Sequence, residues 1–455
     1  HYQNWLTSGH MAGKKQRPRR PLIFPGQKRW LVAYTHASSH LVPTTQTIST
    51  MKSYYLFVIL IFSLIVHADS GTYEEPAIIS AHEFVPASLL SSDLYSISDD
   101  IDTHGFTNTY QISSEFGDFT AHGNEMLYKL IQEIMAINEL EKFKATPRFA
   151  EAVKASASSP FEIMESLIID PADTVSGLPE DIEKINLDML EMTSREKNVH
   201  DKKHKHDLAK FAAHKRQLAY DLNVDVYSTN KVLQQYLNSV GWATYSSDQA
   251  VPVSLEPLDS INFTKDSHRL HNLLRDKTPE QLHKINAKYL TEMGIDKTVI
   301  EAFFANPWLT PRYETMIVGE LYSQGLKGGL NEYIGLVNTS SSEQDAFFYQ
   351  NITMLISHYL NNTTESEVSI VLHNNFALLK VRKHYVFPVL VDNGYWSEAA
   401  VNILTNIEQA IRQPGQDDIQ ILLWITGEVS DRAKAELKQR NILLVENAYS
   451  TGASE

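Results

Sequence analysis

Apolar residues recur at three- and four-residue spacing after Asn124. Leu127, Leu130, Ile131, Ile134 and Ile137 fall on one helical face, with Asn124 as the expected cap. Residues 106–120 instead alternate in short runs, TNTYQIS and FGDFTAHG, bracketed by Ser, Gly and Asp, which predicts a β-hairpin. From Val368 the pattern changes again. Residues 368–372, 376–381 and 385–391 read as strands, 397–412 as a helix, and 418–425 as an almost wholly apolar strand. Ser430 is placed to cap a helix running to Lys438, and 442–445 is a last strand.

Between these regions the punctuation is helical. Pro147, Pro160, Pro171 and Pro179 break one segment into short helices, and the linker DPADTVSGLPED marks a boundary. Thr278-Pro-Glu-Gln281 is a capping box with Pro at the first helical position, and Gly294 supplies the stop. Asp296 is placed to cap a second helix ending before Asn306-Pro307, and Thr310-Pro311 opens a third, with FFYQNITMLISHYL continuing the array. No fixed repeat length marks a solenoid. The expected fold class is therefore α+β: an N-terminal β-hairpin, a mainly helical middle, and a C-terminal α/β part with a mixed sheet. The corresponding division is 69–104 as an extended, Ser- and Asp-rich lead-in, 105–365 as the helical region opening with the hairpin, and 366–450 as the α/β domain.

Residues 51–68 read differently. Lys52 precedes an apolar run from Tyr54 to Val66, broken only by Ser63, and Val66-His67-Ala68 offers small residues at both positions that a signal peptidase inspects. At about 1.5 Å per helical residue the run reaches roughly 20 Å, short of the roughly 30 Å hydrocarbon core, which suits a removable signal better than a span. Residues 1–50 carry seven Lys or Arg and no acid, and are expected to be translated sequence upstream of a start at Met51. The rival is a basic cytoplasmic tail ahead of a signal anchor.

Charge sharpens this. The whole chain has a formal charge of −15, from 40 Lys and Arg against 55 Asp and Glu. Removing the eight cations before residue 69 leaves 32 against 55, or −23. That balance argues against generic binding to nucleic acid or anionic lipid, which needs clustered cations. No later segment approaches 18 consecutive apolar residues, so no membrane span is expected in the mature chain. There is no Cys, which excludes disulfides, thiolate metal sites and cysteine catalysis. An exported protein without disulfides points to a bacterial periplasm or exterior. The sequons at Asn262, Asn338, Asn351, Asn361 and Asn362 are then compositional.

The stretches YQISSEFGDFTAHGNEMLYKLIQEIMAINEL, LAYDLNVDVYSTNKVLQQYLNSVGWA and LLWITGEVSDRAKAELKQRNILLVEN together resemble an uncharacterised group of exported bacterial proteins with no known activity. That resemblance implies one architecture across residues 106–446. It carries over no catalytic residue.

Candidate chemistry is sparse. His200 and His204, at i and i+4 in the basic stretch 195–216, are the weak metal candidates, although they lack a third ligand. Asp100, Asp102 and Gly105 echo half a calcium loop, but Gln111 stands where its bidentate Glu belongs. The one site with a structural rationale lies at the end of the α/β part. If the strands ending at Val391 and Ile425 are parallel, the loops 392–396 and 426–431 leave one sheet edge together. Asp392, Glu428 and Asp431 are then catalytic candidates, and Tyr395, Trp396 and Thr426 ligand-binding ones, with capping and packing as the plainer roles. GxSxG, HExxH, GxxxxGK[ST] and GxGxxG are absent, and no cofactor is implied.

The first expectation is a non-enzymatic interaction protein of the bacterial envelope or exterior, with a protein partner, no nucleic acid and an undetermined oligomeric state. The alternative is a hydrolase or small-molecule binder using the crevice at the sheet edge. Expression from Met51 should release a product beginning near Asp69, checked by mass spectrometry of the exported form. A membrane-retained product that keeps residues 54–66 would identify an anchor instead.

Overall fold

The computed structural model describes residues 73–75, 79–103, 105–156, 202–247, 265–326, 328–365, 367–382, 384–412 and 419–450. Residues 1–50, the apolar segment 51–68 read as a signal, the 170–181 linker and His200 lie outside them. All described residues belong to one compact unit within Lys52–Glu455. The protein is α+β, with an antiparallel N-terminal sheet, a helical middle and a mixed C-terminal sheet.

The N-terminal sheet is built on the expected hairpin. Strands β4 (Asn108–Ser114) and β5 (Gly117–His122) pair antiparallel from Thr109–His122 to Ser114–Gly117. The stretch before them contributes β1 (Ile79–Ser80), β2 (Tyr95–Ile97) and β3 (Asp100–Thr103). β2 pairs with the 112–114 end of β4, β3 with its 108–109 end, and β1 with β3. Alternation works as it should: Asn108, Tyr110 and Ile112 are buried while Gln111 and Ser113 face water. Asp100 and Asp102 are exposed strand residues of β3, so the backbone there is extended and does not curl into the loop that calcium coordination needs.

Helix α1 (Asn124–Lys144) follows, its apolar face of Leu127, Leu130, Ile131, Ile134 and Ile137 buried as the periodicity requires. The cap differs from expectation. Gly123 occupies the cap position at φ +94°, and Asn124 is the first helical residue. The α1 face packs on the sheet and on α2 (Pro147–Ser156), α3 (Lys202–Asp221) and α4 (Lys231–Ser247).

The middle continues through α5 (Lys265–Asp276), α6 (Pro279–Glu292), α7 (Lys297–Ala305), α8 (Pro311–Gln324), α9 (Leu330–Val337) and α10 (Glu343–Asn361). The capping box of α6 forms in full, with Thr278 accepting from Gln281 N–H and the Gln281 side chain accepting from Thr278 N–H. Asp296 and Thr310 do hold the cap positions of α7 and α8, but neither side chain makes the capping bond.

The C-terminal sheet has the order β12-β10-β8-β7-β6. β6 (Val368–His373), β7 (Phe376–Val381) and β8 (His384–Val389) form an antiparallel meander, whereas β8, β10 (Gln420–Ile425) and β12 (Ile442–Val445) run parallel. Their crossovers are α11 (Glu398–Ile411) and α12 (Asp431–Gln439), capped by Ser397 and Ser430, whose hydroxyls accept from Ala400 and Ala433 N–H. Both crossover helices cover one face, over Ile421, Leu423 and Ile425. The other face carries Leu422 and Trp424 against the helical middle, so the two halves share a core. Gly329, at φ +77°, marks the closest of these contacts: a Cβ there would lie 1.7 Å from the Ile370 carbonyl oxygen of β6.

Trp424 is only 8% exposed and meets the Tyr359 ring of α10 at 5.3 Å, edge to face. β10 is an inner strand. Trp424→Ala should therefore cost about 3–5 kcal/mol, while Glu428→Ala in the adjoining exposed loop should change stability by less than about 0.5 kcal/mol. Denaturant melts of both variants check this, and equal small shifts would contradict the placement.

Candidate functional site

The register Val389–Ile425 aligns the carboxyl ends of β8 and β10. The two loops beyond then run side by side as a two-residue parallel ladder, β9 (Asn393–Gly394) with β11 (Glu428–Val429). Gly427 permits this approach, since a Cβ there would lie 2.3 Å from the Asp392 carbonyl oxygen and 2.5 Å from that of Val391. The two loops that hold the sequence-predicted site residues are thus brought together. Their side chains take separate partners.

Thr426 closes on its neighbour, its hydroxyl donating to the Val391 carbonyl at 2.9 Å and accepting the Val391 N–H at 3.0 Å. The Tyr395 hydroxyl accepts from the Asn393 side-chain amide at 2.6 Å. Trp396 is buried with the Arg440 guanidinium 5.1 Å over its ring, and its backbone N–H donates to Glu74 Oε2, which also accepts from the Ser430 hydroxyl. Glu428 is exposed and accepts from the Asn447 amide at 2.9 Å. Asp431 sits exposed in the first turn of α12, where a carboxylate suits the helix dipole.

Asp392 turns toward the N-terminal sheet. At 6% exposure, its Oδ2 accepts the Asn108 N–H of β4 at 2.8 Å, and its Oδ1 accepts the Asn124 N–H of α1 at 3.2 Å. This is the cap that α1 lacks locally, supplied from 268 residues away. Beside it stands Glu125. A Cβ on Gly123 would lie 3.7 Å from Glu125 Oε2 and 3.9 Å from Asp392 Oδ2, so both carboxyl groups flank one point. Burial first, and the Glu125 charge second, push the Asp392 carboxyl up to about 8, against the downward pull of its two backbone donors. Burial raises Glu125 as well.

One turn further along α1 a second polar cluster is closed by its own members. Lys129 Nζ lies 2.7 Å from Glu133 Oε1 and 3.4 Å from both Glu343 Oε1 and Ser228 Oγ. Ser228 donates to Glu133, Tyr313 donates to Glu343, and Arg312 pairs with Asp225 at 3.8 Å. The Ser228–Lys129 proximity superficially suits a Ser–Lys nucleophile, but that chemistry needs a neutral amine. Burial opposes the charge on Lys129, yet Glu133 and Glu343 outweigh it and raise its pKa, so the ammonium persists. The cluster fastens α1, the 225–230 turn, α8 and α10 together.

Among the described residues no group of three or more His, Cys, Asp or Glu is placed to hold a metal. His204 falls in the first turn of α3, with its side chain outside those described. No described helix is long and apolar enough to cross a membrane. No family model, curated protein or solved structure matches the chain.

Sequence reasoning missed Glu125, Lys129, Glu133, Asp225, Glu343 and Lys215. On α1 the first three recur every four residues, a signal indistinguishable from a solvated face. Lys215 belongs to the basic stretch 195–216, whose charge pattern alone reads as a solvated helix face. The structure buries it fully between α3 and α4, its ammonium donating to Gln234 Oε1 at 2.8 Å and to Asn238 Oδ1. Burial lowers its pKa from 10.5 to about 7. The unfolded chain then binds the extra proton between pH 10.5 and 7, so this residue costs stability as pH falls through that window. Lys215→Met should remove the loss. Its stability relative to wild type should improve by on the order of 4 kcal/mol from pH 10.5 to 7, read from urea melts at both ends.

Proposed function

We propose that the protein is exported in a bacterium and acts without chemistry of its own, by binding another protein of the envelope or exterior. The observation that carries this reading is the internal commitment of the carboxyl edge. Thr426, Trp396, Asp392 and Glu428 each hold a neighbouring segment and Tyr395 bonds Asn393 within its own loop, which leaves no convergent acid–base pair on that surface among the described residues. The sheet border is the surface that suits a partner. Among the described residues β12 pairs only with β10; Ile442 and Leu444 pack under the crossover helices, while Leu443 lies on the opposite face at 48% exposure. An open edge strand with an apolar residue is the arrangement to which a partner's extended segment adds by main-chain pairing. The export signal read from the sequence supports an extracytoplasmic setting.

The test is chemical crosslinking of tagged residues 69–455 to bacterial envelope fractions, with Leu443→Lys in parallel. The wild type should recover a defined partner, and the variant should recover about tenfold less of it while melting at the same temperature. Unchanged capture by the variant, together with turnover of an ester, phosphate or glycoside substrate that Glu428→Gln or Asp392→Asn abolishes, would replace this reading with the hydrolase.

A further inference from the structure

At the join between the N-terminal and C-terminal sheets the Asp392 carboxyl group takes two backbone donors, and the Glu125 carboxyl group flanks the same point beside Gly123. Besides its two side-chain bonds, Asp392 donates its own N–H to the Phe106 carbonyl at 2.7 Å and accepts from Glu428 N–H on its carbonyl. It therefore touches the entry to β4, the start of α1 and the β10 exit loop. Among the described residues neither Asp392 nor Glu125 has an ion-pair partner. The groups facing them are hydroxyls: Tyr110 from β4, Tyr128 from α1, and Tyr449 from the C-terminal turn, with Glu320 of α8 beyond Tyr449. The Tyr110 proton is already directed to Asn124 Oδ1. Two backbone donors suffice for one carboxylate, so a second negative charge at the same place has no cation to meet it.

We propose that Glu125 and Asp392 form a pH-operated latch between α1 with its sheet and the carboxyl edge of the C-terminal sheet. The latch is closed while the two carboxyl groups keep one proton between them and loosens when both ionise. Like charges flanking one point, with Asp392 buried and Glu125 half-buried, repel, and one must take a proton or move. The raised values of both acids fit this arrangement. The sign follows: between the ordinary carboxylate range and about 8 the folded protein holds more protons than the unfolded chain, so stability is greatest in acid and falls as pH rises through that window. Lys215 works in the opposite direction above pH 7, so the latch is read as a difference between proteins that both contain it.

Glu125→Gln removes one charge at almost unchanged shape and leaves Asp392 to ionise on its two donors. Thermal midpoints of the full chain and of this variant should be measured from pH 5 to 9. The variant should gain on wild type as pH rises, ending roughly 2–4 °C above its relative position at pH 5. A wild-type-to-variant difference constant across that range refutes the latch. Should Glu125→Gln not fold, wild-type amide exchange corrected for intrinsic rates decides it. Protection of residues 106–126 should fall between pH 6 and 9 while that of 420–425 holds, and parallel behaviour of the two segments would overturn the proposal.

Discussion

Asp392 holds two sheets that share no strand. Its side chain replaces a helix cap that the local sequence does not provide, because Gly123 has no side chain to offer and Asn124 has already entered the helix. Orphan N–H groups at a helix start must be satisfied, and a buried carboxyl group can accept from them. The cost is an ionisable group in a buried place, where burial first and the neighbouring Glu125 second oppose its ionisation. The position of α1, and with it the core it shares with the N-terminal sheet and the α2–α4 helices, depends on that compromise.

The same helix shows why this interior is unusual. Its apolar face behaves as expected, but its charged stripe is also covered, by the 225–230 turn on one side and by α8 and α10 on the other. Glu133 and Asp225 survive burial because Lys129 and Arg312 come with them. Losing one member would strand its partner, so such a network fixes the relative placement of four elements more than it adds stability. Among the described residues Lys215 is met by two amide oxygens and no acid, and its proton is correspondingly weakly held.

Ionisable groups concentrated inside a fold often mark an active site. Here they are spent on one another or on backbone amides, and the loops at the carboxyl edge are stitched together by Thr426, Gly427 and Glu74. A surface that binds through a sheet border is compatible with such an interior, since main-chain groups along an edge need no catalytic geometry.

The sequence alone determined what depends on neighbours a few residues apart. Period-2 alternation placed β4, continuous apolar runs placed the C-terminal strands, the three- and four-residue spacing placed α1, and Thr278 and Ser430 announced the helices they cap. The meeting of 392–396 with 426–431 was conditional on a parallel pairing of the strands before them, and the structure supplies that pairing between β8 and β10. Tertiary structure decided which side each polar residue faces. Asp392 looked like one wall of a crevice and is instead the cap of a helix 268 residues earlier. Glu125, Lys129 and Glu133 looked solvated because periodicity reports only that a stripe is polar. Whether water or another charged segment lies against it depends on contacts such as Lys129 with Glu343, which no local pattern encodes.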